Sequence, residues 1–517
     1  MSEADAPVPE DDTPVLVGCG DLTDTETPAE AGRSPFELMA EAARKAVADT
    51  GAAGIAGLID TVAVPRLFSD STARYATRLG TSTNPPMSAA KRLGIAPARC
   101  IYTQVGGNTP QTLVNRFAAA IAGGEMRAAL IVGAEALRTQ LAVERAGLEI
   151  SWAEDPGGTP EVIGSDRPGW SAHERDHGLN GAIAFYPLIE NALRGRRGRT
   201  VEAHLRSMAG LMARLARVAA DNPRATRRRG CTAERLARID EGNRWIGFPY
   251  PRLMNANVFV DQAAALIMTS VGTARELGIP SSRWVFLHGH ADCTDHWYLT
   301  DREHLDRSPA IRLGAAAALE MAGCGVDDLA ALDLYSCFPS AIEVACEELG
   351  IAENDPRGVT VTGGLPYFGG PGNNYVTHSI AEMVRRVRAA PGRFGLVSGN
   401  GFYLTKHAFG IYSTAPVPGR WQPADDRSLQ AAVDATPTAA FTPTPRGAAR
   451  VESYTVMHGR HGPNGGIVVG RETESGRRFV ANPPDDPGTL LRLRDAESLG
   501  LAGQVRQTEG RNIFQPD

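Results

Sequence analysis

The chain has no Cys-x-x-Cys pair. Its seven cysteines (Cys19, Cys100, Cys231, Cys293, Cys324, Cys337 and Cys346) are scattered and odd in number. That speaks against a disulfide framework and a cysteine-built zinc site, and it fits a reducing cytoplasm. Long apolar runs are missing too. No window approaches the roughly 18 consecutive apolar residues of a membrane span, and the opening MSEADAPVPEDDTP has neither the basic nor the apolar region of an export signal. The chain is therefore expected neither to span a membrane nor to be exported. A strong charge of one sign is also absent: a formal −6 over 517 residues gives no general attraction to nucleic acid or anionic membrane. No set of His, Cys, Asp and Glu has metal-ligand spacing, so neither a metal nor a covalent cofactor is expected.

What is present is an alternation of strand and helix signals. Pro14–Gly18 is a short buried-strand pattern, and Ser34 with Pro35 opens a helix running to Asp49, with Ser as N-cap and Pro at the first helical position. Further β-branched runs at Ile55–Val64, Cys100–Val105 and Ala128–Val132 are separated by helical stretches such as Pro110–Ala122. Parallel sheet with crossover helices is the economical expectation. An echo follows in the second half: Ser308 and Pro309 open another Ala-rich helix, then a strand at Leu329–Leu334 and a helix from Pro339 to Leu349. This suggests a duplicated unit.

Between the halves, residues 137–250 break the alternation with Gly, Pro and charged loops and an Arg-rich helix pair, the composition of an insertion that carries binding. Arg196 and Arg197 are the candidates there for gripping phosphate, since guanidinium suits bidentate phosphate contacts, although a solvated face is the blander use of such a run. Residues 415–444 are rich in Pro, Ala and Thr without periodicity and are expected to be a linker. Residues 445–517 alternate as strands and suggest a small all-β module, with a five-strand OB-type barrel suiting the length. Its rings are few (Tyr454, Phe479, Phe514), so it offers little for stacking nucleic-acid bases.

Several segments, in order, resemble the thiolase superfamily. Ile101–Thr139 is similar to the stretch in which a strand delivers the nucleophilic Cys to a buried helix and a later strand ends in Gly-x-Glu, here Gly133-Ala134-Glu135. Asp261–Met268 resembles the family's Asp-Gly-Ala-Ala-Ala strand, Leu334–Ser340 (LYSCFPS) the His-Asp-Cys-Phe segment of sterol-carrier-type thiolases, and Gly363–Asn374 (GGLPYFGGPGNN) their Gly-Gly-Leu…Gly-His-Pro segment. The resemblance covers about residues 13–413. It implies an α/β duplicated fold of two βαβαβαββ halves in αβαβα layers, at 13–280 (with the insertion) and 281–414. It also implies coenzyme A thioesters as substrate or ligand, acyltransferase activity, and a homodimer formed through Cys100–Val105, unless the extra module covers that edge.

Carried over position by position, the family's chemistry is altered. Its acyl-accepting Cys falls on Gly106, its loop His or Asn on Tyr335, its Gly-His-Pro histidine on Gly370, and its second Cys near Ser398 or Asn400. Glycine cannot take an acyl group, and covalent acyl transfer needs a thiolate; Cys337 is the nearest thiol by motif. Backbone N–H groups at Gly106, Gly107 and Asn108, and the Gly370–Asn373 loop, are candidates to hold a thioester oxyanion. Asn400 belongs with that oxyanion set, and the acid–base candidates are Tyr335 and His407, with Lys406 beside it. Three functions follow as expectations: carbon–carbon bond chemistry on acyl-CoA, by acyl transfer as the resemblance implies or by aldolase-like cleavage of a 3-hydroxyacyl-CoA using Tyr335; non-catalytic binding of acyl-CoA or lipid; and an interaction role for the C-terminal module.

Overall fold

The structure, a computed structural model, describes residues 8–517. Strands β1 (Pro14–Thr23), β2 (Thr61–Val64), β3 (Arg99–Thr103), β4 (Ala128–Ala136), β5 (Glu161–Ile163), β6 (Trp245–Gly247), β7 (Tyr250–Pro251), β8 (Asp261–Ser270) and β9 (Val285–Thr294) precede β10 (Leu329–Asp333), β11 (Phe394–Gly401) and β12 (Lys406–Ser413). Ten of them form one mixed sheet in the order β10-β11-β12-β9-β1-β8-β4-β2-β3-β5. Outward from the central antiparallel pair β1 and β9, and with the edge strand β5 set aside, each half repeats one order: first strand, last strand, penultimate strand, then the earlier ones. The duplication suggested by the Ser-Pro echo is thus visible as sheet topology.

The echo is also physical. Ser34 caps the Pro35–Thr50 helix by accepting from Glu37 N–H, Ser308 caps Pro309–Ala322 by accepting from Ile311 N–H, and each helix ends on a left-handed glycine, Gly51 at φ 75° and Gly323 at φ 63°. These two helices cover the outer faces of their own halves. The helices Thr109–Ala122 and Tyr375–Ala389 lie against one another and against strands of both halves, completing the αβαβα layering. Their buried faces, including Leu113, Val114, Phe117, Val376, Ile380 and Val384, are at most 4% exposed. Full burial of each such side chain is worth about 1.5–3 kcal/mol.

The edge strand expected to form a dimer is occupied. Strand β5, from the insertion and not from the C-terminal module, pairs in parallel with β3, with Tyr102 opposite Val162. Gln104 N–H donates to the Ile163 carbonyl at 2.7 Å. A three-residue cover is a short edge and a poor template for further pairing.

The C-terminal region departs from an all-β module joined by a linker. Within the expected linker, Asp426–Asp434 is a helix tied to β9: Asp426 Oδ1 accepts from Asp292 N–H at 2.9 Å and Gln430 Oε1 from Thr294 N–H at 2.7 Å. Beyond it, β13 (Gly447–Gly459), β14 (Gly462–Glu472), β15 (Arg478–Ala481), β16 (Ala502–Thr508) and β17 (Arg511–Pro516) form an antiparallel sheet that recruits β6 and β7 from the insertion. A second helix, Pro487–Asp495, is started by Asp486, whose side chain accepts from Thr489 N–H, and by Pro at its first position. Tyr454, Phe479 and Phe514 are fully buried with Phe248, so these rings have no face to offer a base. No helix among the described residues is long and apolar enough to cross a membrane, and all seven cysteines are free.

Candidate active site

The Val105–Asn108 turn between β3 and the Thr109–Ala122 helix is enclosed by three segments: the loop after β10, the Gly363–Asn374 loop, and the β11–β12 hairpin. Gly106 is small because two side chains use the space. A Cβ there would stand 2.5 Å from Asn108 Oδ1 and 3.0 Å from Lys406 Nζ. A Cβ on Gly107 would stand 2.3 Å from the Tyr335 hydroxyl and 2.6 Å from the Asn400 carbonyl. Gly106 is therefore approached by an amine, and Gly107 by a phenol.

Lys406 is 9% exposed. Its Nζ donates to the Val105 carbonyl and lies 4.3 Å from the centre of the Phe402 ring, a cation–π contact. Among the described residues no carboxylate is within ion-pair reach of it, and burial pulls the amine down from its usual range to about 8. Tyr335 packs edge-to-face on Tyr375 at 5.7 Å, and burial holds its phenol well above the ordinary value. At neutral pH it is a proton donor. Burial likewise pushes the Cys337 thiol up to about 12; with the Tyr186 hydroxyl beside it, Cys337 stays a thiol and is unsuited to accept an acyl group.

His407 does not face Gly106, although it shares a void with Tyr335. Consecutive residues of a strand point to opposite faces, and in β12 Lys406 takes the face toward Gly106. His407, 2% exposed and pushed down to about 4 by burial, lines a void of about 10 Å³ with Tyr335, Ser398, Asn400 and Leu404, room for about one water. The Asn400 side chain takes that far face too, donating to the Tyr186 hydroxyl at 2.8 Å and leaving its own Oδ1 buried without a partner. Of the neighbours Lys406 and His407, Lys406 is the one that faces the turn.

The oxyanion candidates are also sorted by the fold. Gly106 N–H is taken by Asn373 Oδ1 at 3.0 Å, and Asn373 Nδ2 donates to the Arg66 carbonyl at 2.6 Å; Gly370 N–H is taken by the Asn257 carbonyl at 2.8 Å. Neither glycine has a free donor. Among the described residues Gly107 N–H and Asn108 N–H have no partner in the chain, and Asn108 Oδ1 is buried and unpaired beside them.

The hairpin carrying Lys406 is strained. Phe402 and Leu404 sit in the left-handed region at φ 57° and 54°, a cost of about 1–3 kcal/mol each for residues with a Cβ. Arg302 holds the turn, donating to the Tyr403 carbonyl at 2.9 Å and to Thr405 Oγ1 at 3.0 Å.

The arginines proposed for phosphate are engaged elsewhere. Arg196 pairs with Asp306 and Glu347. Arg197 pairs with Glu343 and Glu347 at 2.7 Å each and with Glu353 at 2.8 Å. A guanidinium facing three carboxylates has no free edge for a phosphate.

The crystal structure of a monomeric SCP2-thiolase-like protein type 1 (STLP1) from Mycobacterium smegmatis is 37% identical to this chain, covers 98% of it and 99% of its own length, and superposes with a TM-score of 0.83. The chain belongs to the SCP2-thiolase-like protein type 1 family. The model for the thiolase-like protein type 1 additional C-terminal domain matches residues 428–510, so that domain begins inside the helix found in the expected linker. More distant structures show the fold alone: the Ltp2-ChsH2(DUF35) aldolase, at 21% identity, 78% of this chain, 97% of the other and a TM-score of 0.57, and an acetyl-CoA acetyltransferase from Syntrophomonas wolfei, at 15%, 78%, 99% and 0.53. No curated protein matches the chain. In this STLP1-like protein Lys406 enters the sequence reading only as the neighbour of His407, and Tyr186 of the insertion is not singled out there at all. The only signal for the first was strand alternation in Lys406–Ser413.

Proposed function

We propose that this protein acts on acyl-CoA thioesters without a covalent acyl-enzyme, cleaving the carbon–carbon bond of a 3-hydroxyacyl-CoA in an aldolase-like reaction. The observation that carries the reading is that an amine stands against Gly106, the position the resemblance gives to the thiolase nucleophile, and a phenol against the neighbouring Gly107. In this scheme neutral Lys406 takes the proton of the substrate's 3-hydroxyl, the C2–C3 bond breaks, and C3 leaves as an aldehyde or ketone. The electron pair forms a thioester enolate whose oxygen is held by Gly107 and Asn108 N–H. Tyr335 then protonates C2 to give the shortened acyl-CoA, and the proton on Lys406 returns to Tyr335 through solvent. At neutral pH Tyr335 carries the proton its step requires, while Lys406, drawn down to about 8, is neutral in a minor fraction that grows to the whole as the pH rises past that value.

The test is to incubate the full-length protein with 3-hydroxyacyl-CoAs and follow the products by mass spectrometry. Free carbonyl product with the shortened acyl-CoA and no acylated protein is expected, and Tyr335→Phe lowers kcat by about 10²-fold or more with CoA binding unchanged. An acyl adduct on Cys337, or tight binding without products, would sink the reading in favour of acyl transfer or a carrier. The acyl-CoA-handling unit is expected to be one chain, because β5 covers the β3 edge: sedimentation velocity should give the mass of a single chain, and deleting residues 160–164 should produce concentration-dependent self-association.

A further inference from the structure

Sequence spacing offers no metal ligands, but folding brings together Glu190 on the Ala182–Arg196 helix, His204 on Val201–Asp221 and Glu343 on Pro339–Leu349. One ligand atom from each lies within 4.8 Å of the others, and all three residues are 0% exposed. His204 Nε2 meets Glu190 Oε1, and the Tyr250 hydroxyl donates to Glu190 Oε2 at 2.7 Å. Glu343 Oε1 takes one arm of Arg197 at 2.7 Å. Two polar atoms are buried with no partner: Glu343 Oε2 and His204 Nδ1.

With both carboxyls ionised the charges do not balance from protein alone, so the pair holds either a shared proton or a cation. Two carboxylates lie together in the interior, and the one guanidinium that reaches them is shared with Glu347 and Glu353 outside the cluster. Removing a carboxylate from water is costly unless a cation compensates it. The set of one imidazole and two carboxylates from three helices suits a first-row divalent cation, with the Tyr250 hydroxyl or a water as a fourth oxygen.

The geometry points to a structural divalent-metal site at Glu190, His204 and Glu343, binding Zn²⁺ or Mn²⁺ and locking the two insertion helices onto the helix that follows the Tyr335 loop. Its place gives it a positioning role. Phe338, between Tyr335 and that helix, stacks on Tyr186 at 4.6 Å and lies 5.3 Å from the Tyr250 ring. Tyr186 in turn receives Asn400 Nδ2. The cation would therefore fix the side of the active site that faces the insertion, touching no reacting atom.

The full-length protein, purified without an affinity tag or chelator, is analysed for metal by mass spectrometry, then stripped and titrated with Co²⁺ and Zn²⁺. About one equivalent per chain is expected, with Co²⁺ d–d absorption and a melting temperature raised by Zn²⁺. In Glu343→Gln, which keeps the shape, metal content falls about tenfold or more. A protein with no metal, no Co²⁺ bands and a melting temperature indifferent to Zn²⁺ overturns the proposal and leaves a proton between the two carboxyls. Metal uptake that Glu343→Gln does not reduce overturns it as well.

Discussion

Replacing Lys406 with methionine is expected to lower the turnover of a 3-hydroxyacyl-CoA by about 10²–10⁴-fold, the range for loss of a positioned proton acceptor. CoA binding should be untouched, because methionine keeps the apolar stem against Phe402 and only the amine is lost. Lys406→Arg should be nearly as damaging. Arginine retains the charge over the Phe402 ring and stays protonated at any working pH, so it keeps whatever the cation contributes and removes proton acceptance. The pair of variants separates a base from an electrostatic support.

The pH dependence gives the same assignment independently. The acting form is the neutral amine, and burial pulls Lys406 down to about 8. The rate at limiting substrate should rise tenfold per pH unit below about 8 and flatten above it. A group acting as a cation would give the opposite sign, a rate constant below pH 8 and falling above it. Without burial the amine would be almost wholly protonated at neutral pH, given its ordinary value near 10.4, so the enclosure of Lys406 by Phe402 and the Val105 turn is what makes the chemistry available. The strained φ values at Phe402 and Leu404 fit that account, since a hairpin of relaxed geometry would not have to hold Phe402 under the amine.

What the sequence made legible was local. Ser34-Pro35 and Ser308-Pro309 announce their helices because capping and the fixed proline φ act within one turn, and the motifs from Ile101 to Asn374 gave the family and its layered fold. What it hid depends on pairs far apart in the chain. Whether His407 or Lys406 faces Gly106 is set by the register of β12 against β11, where Asn400 lies opposite His407. A shift of one residue would exchange them. The cover on β3 comes from three residues of an insertion with little strand pattern, and β6 joins the C-terminal sheet through a single pairing of Met457 with Gly247. An arginine run reads the same whether it faces solvent or three glutamates, because the glutamates lie about 150 residues further on.

That last point carries the largest expected effect on stability. Arg197→Met should destabilise the folded chain by about 3–5 kcal/mol, the range for stripping one partner from a buried ion pair. Glu343 is fully buried and the Arg197 side chain only 12% exposed, so the carboxylate left behind has no water to turn to. Arg197→Lys should recover little, since an ammonium on a flexible stem cannot span Glu343, Glu347 and Glu353 with the planar fork that makes those contacts. The measurement is chemical denaturation of the full chain alongside CoA titration. A structural arginine moves the denaturation midpoint and leaves the affinity of the folded protein for CoA unchanged. A phosphate-binding one would do the reverse, weakening CoA with the midpoint in place. Arg196, 36% exposed and paired with Asp306 and Glu347, should show the same pattern with a smaller loss, since its own end of those pairs is open to solvent. The ratio between the two variants then reports burial together with the number of carboxylates held, two by Arg196 and three by Arg197.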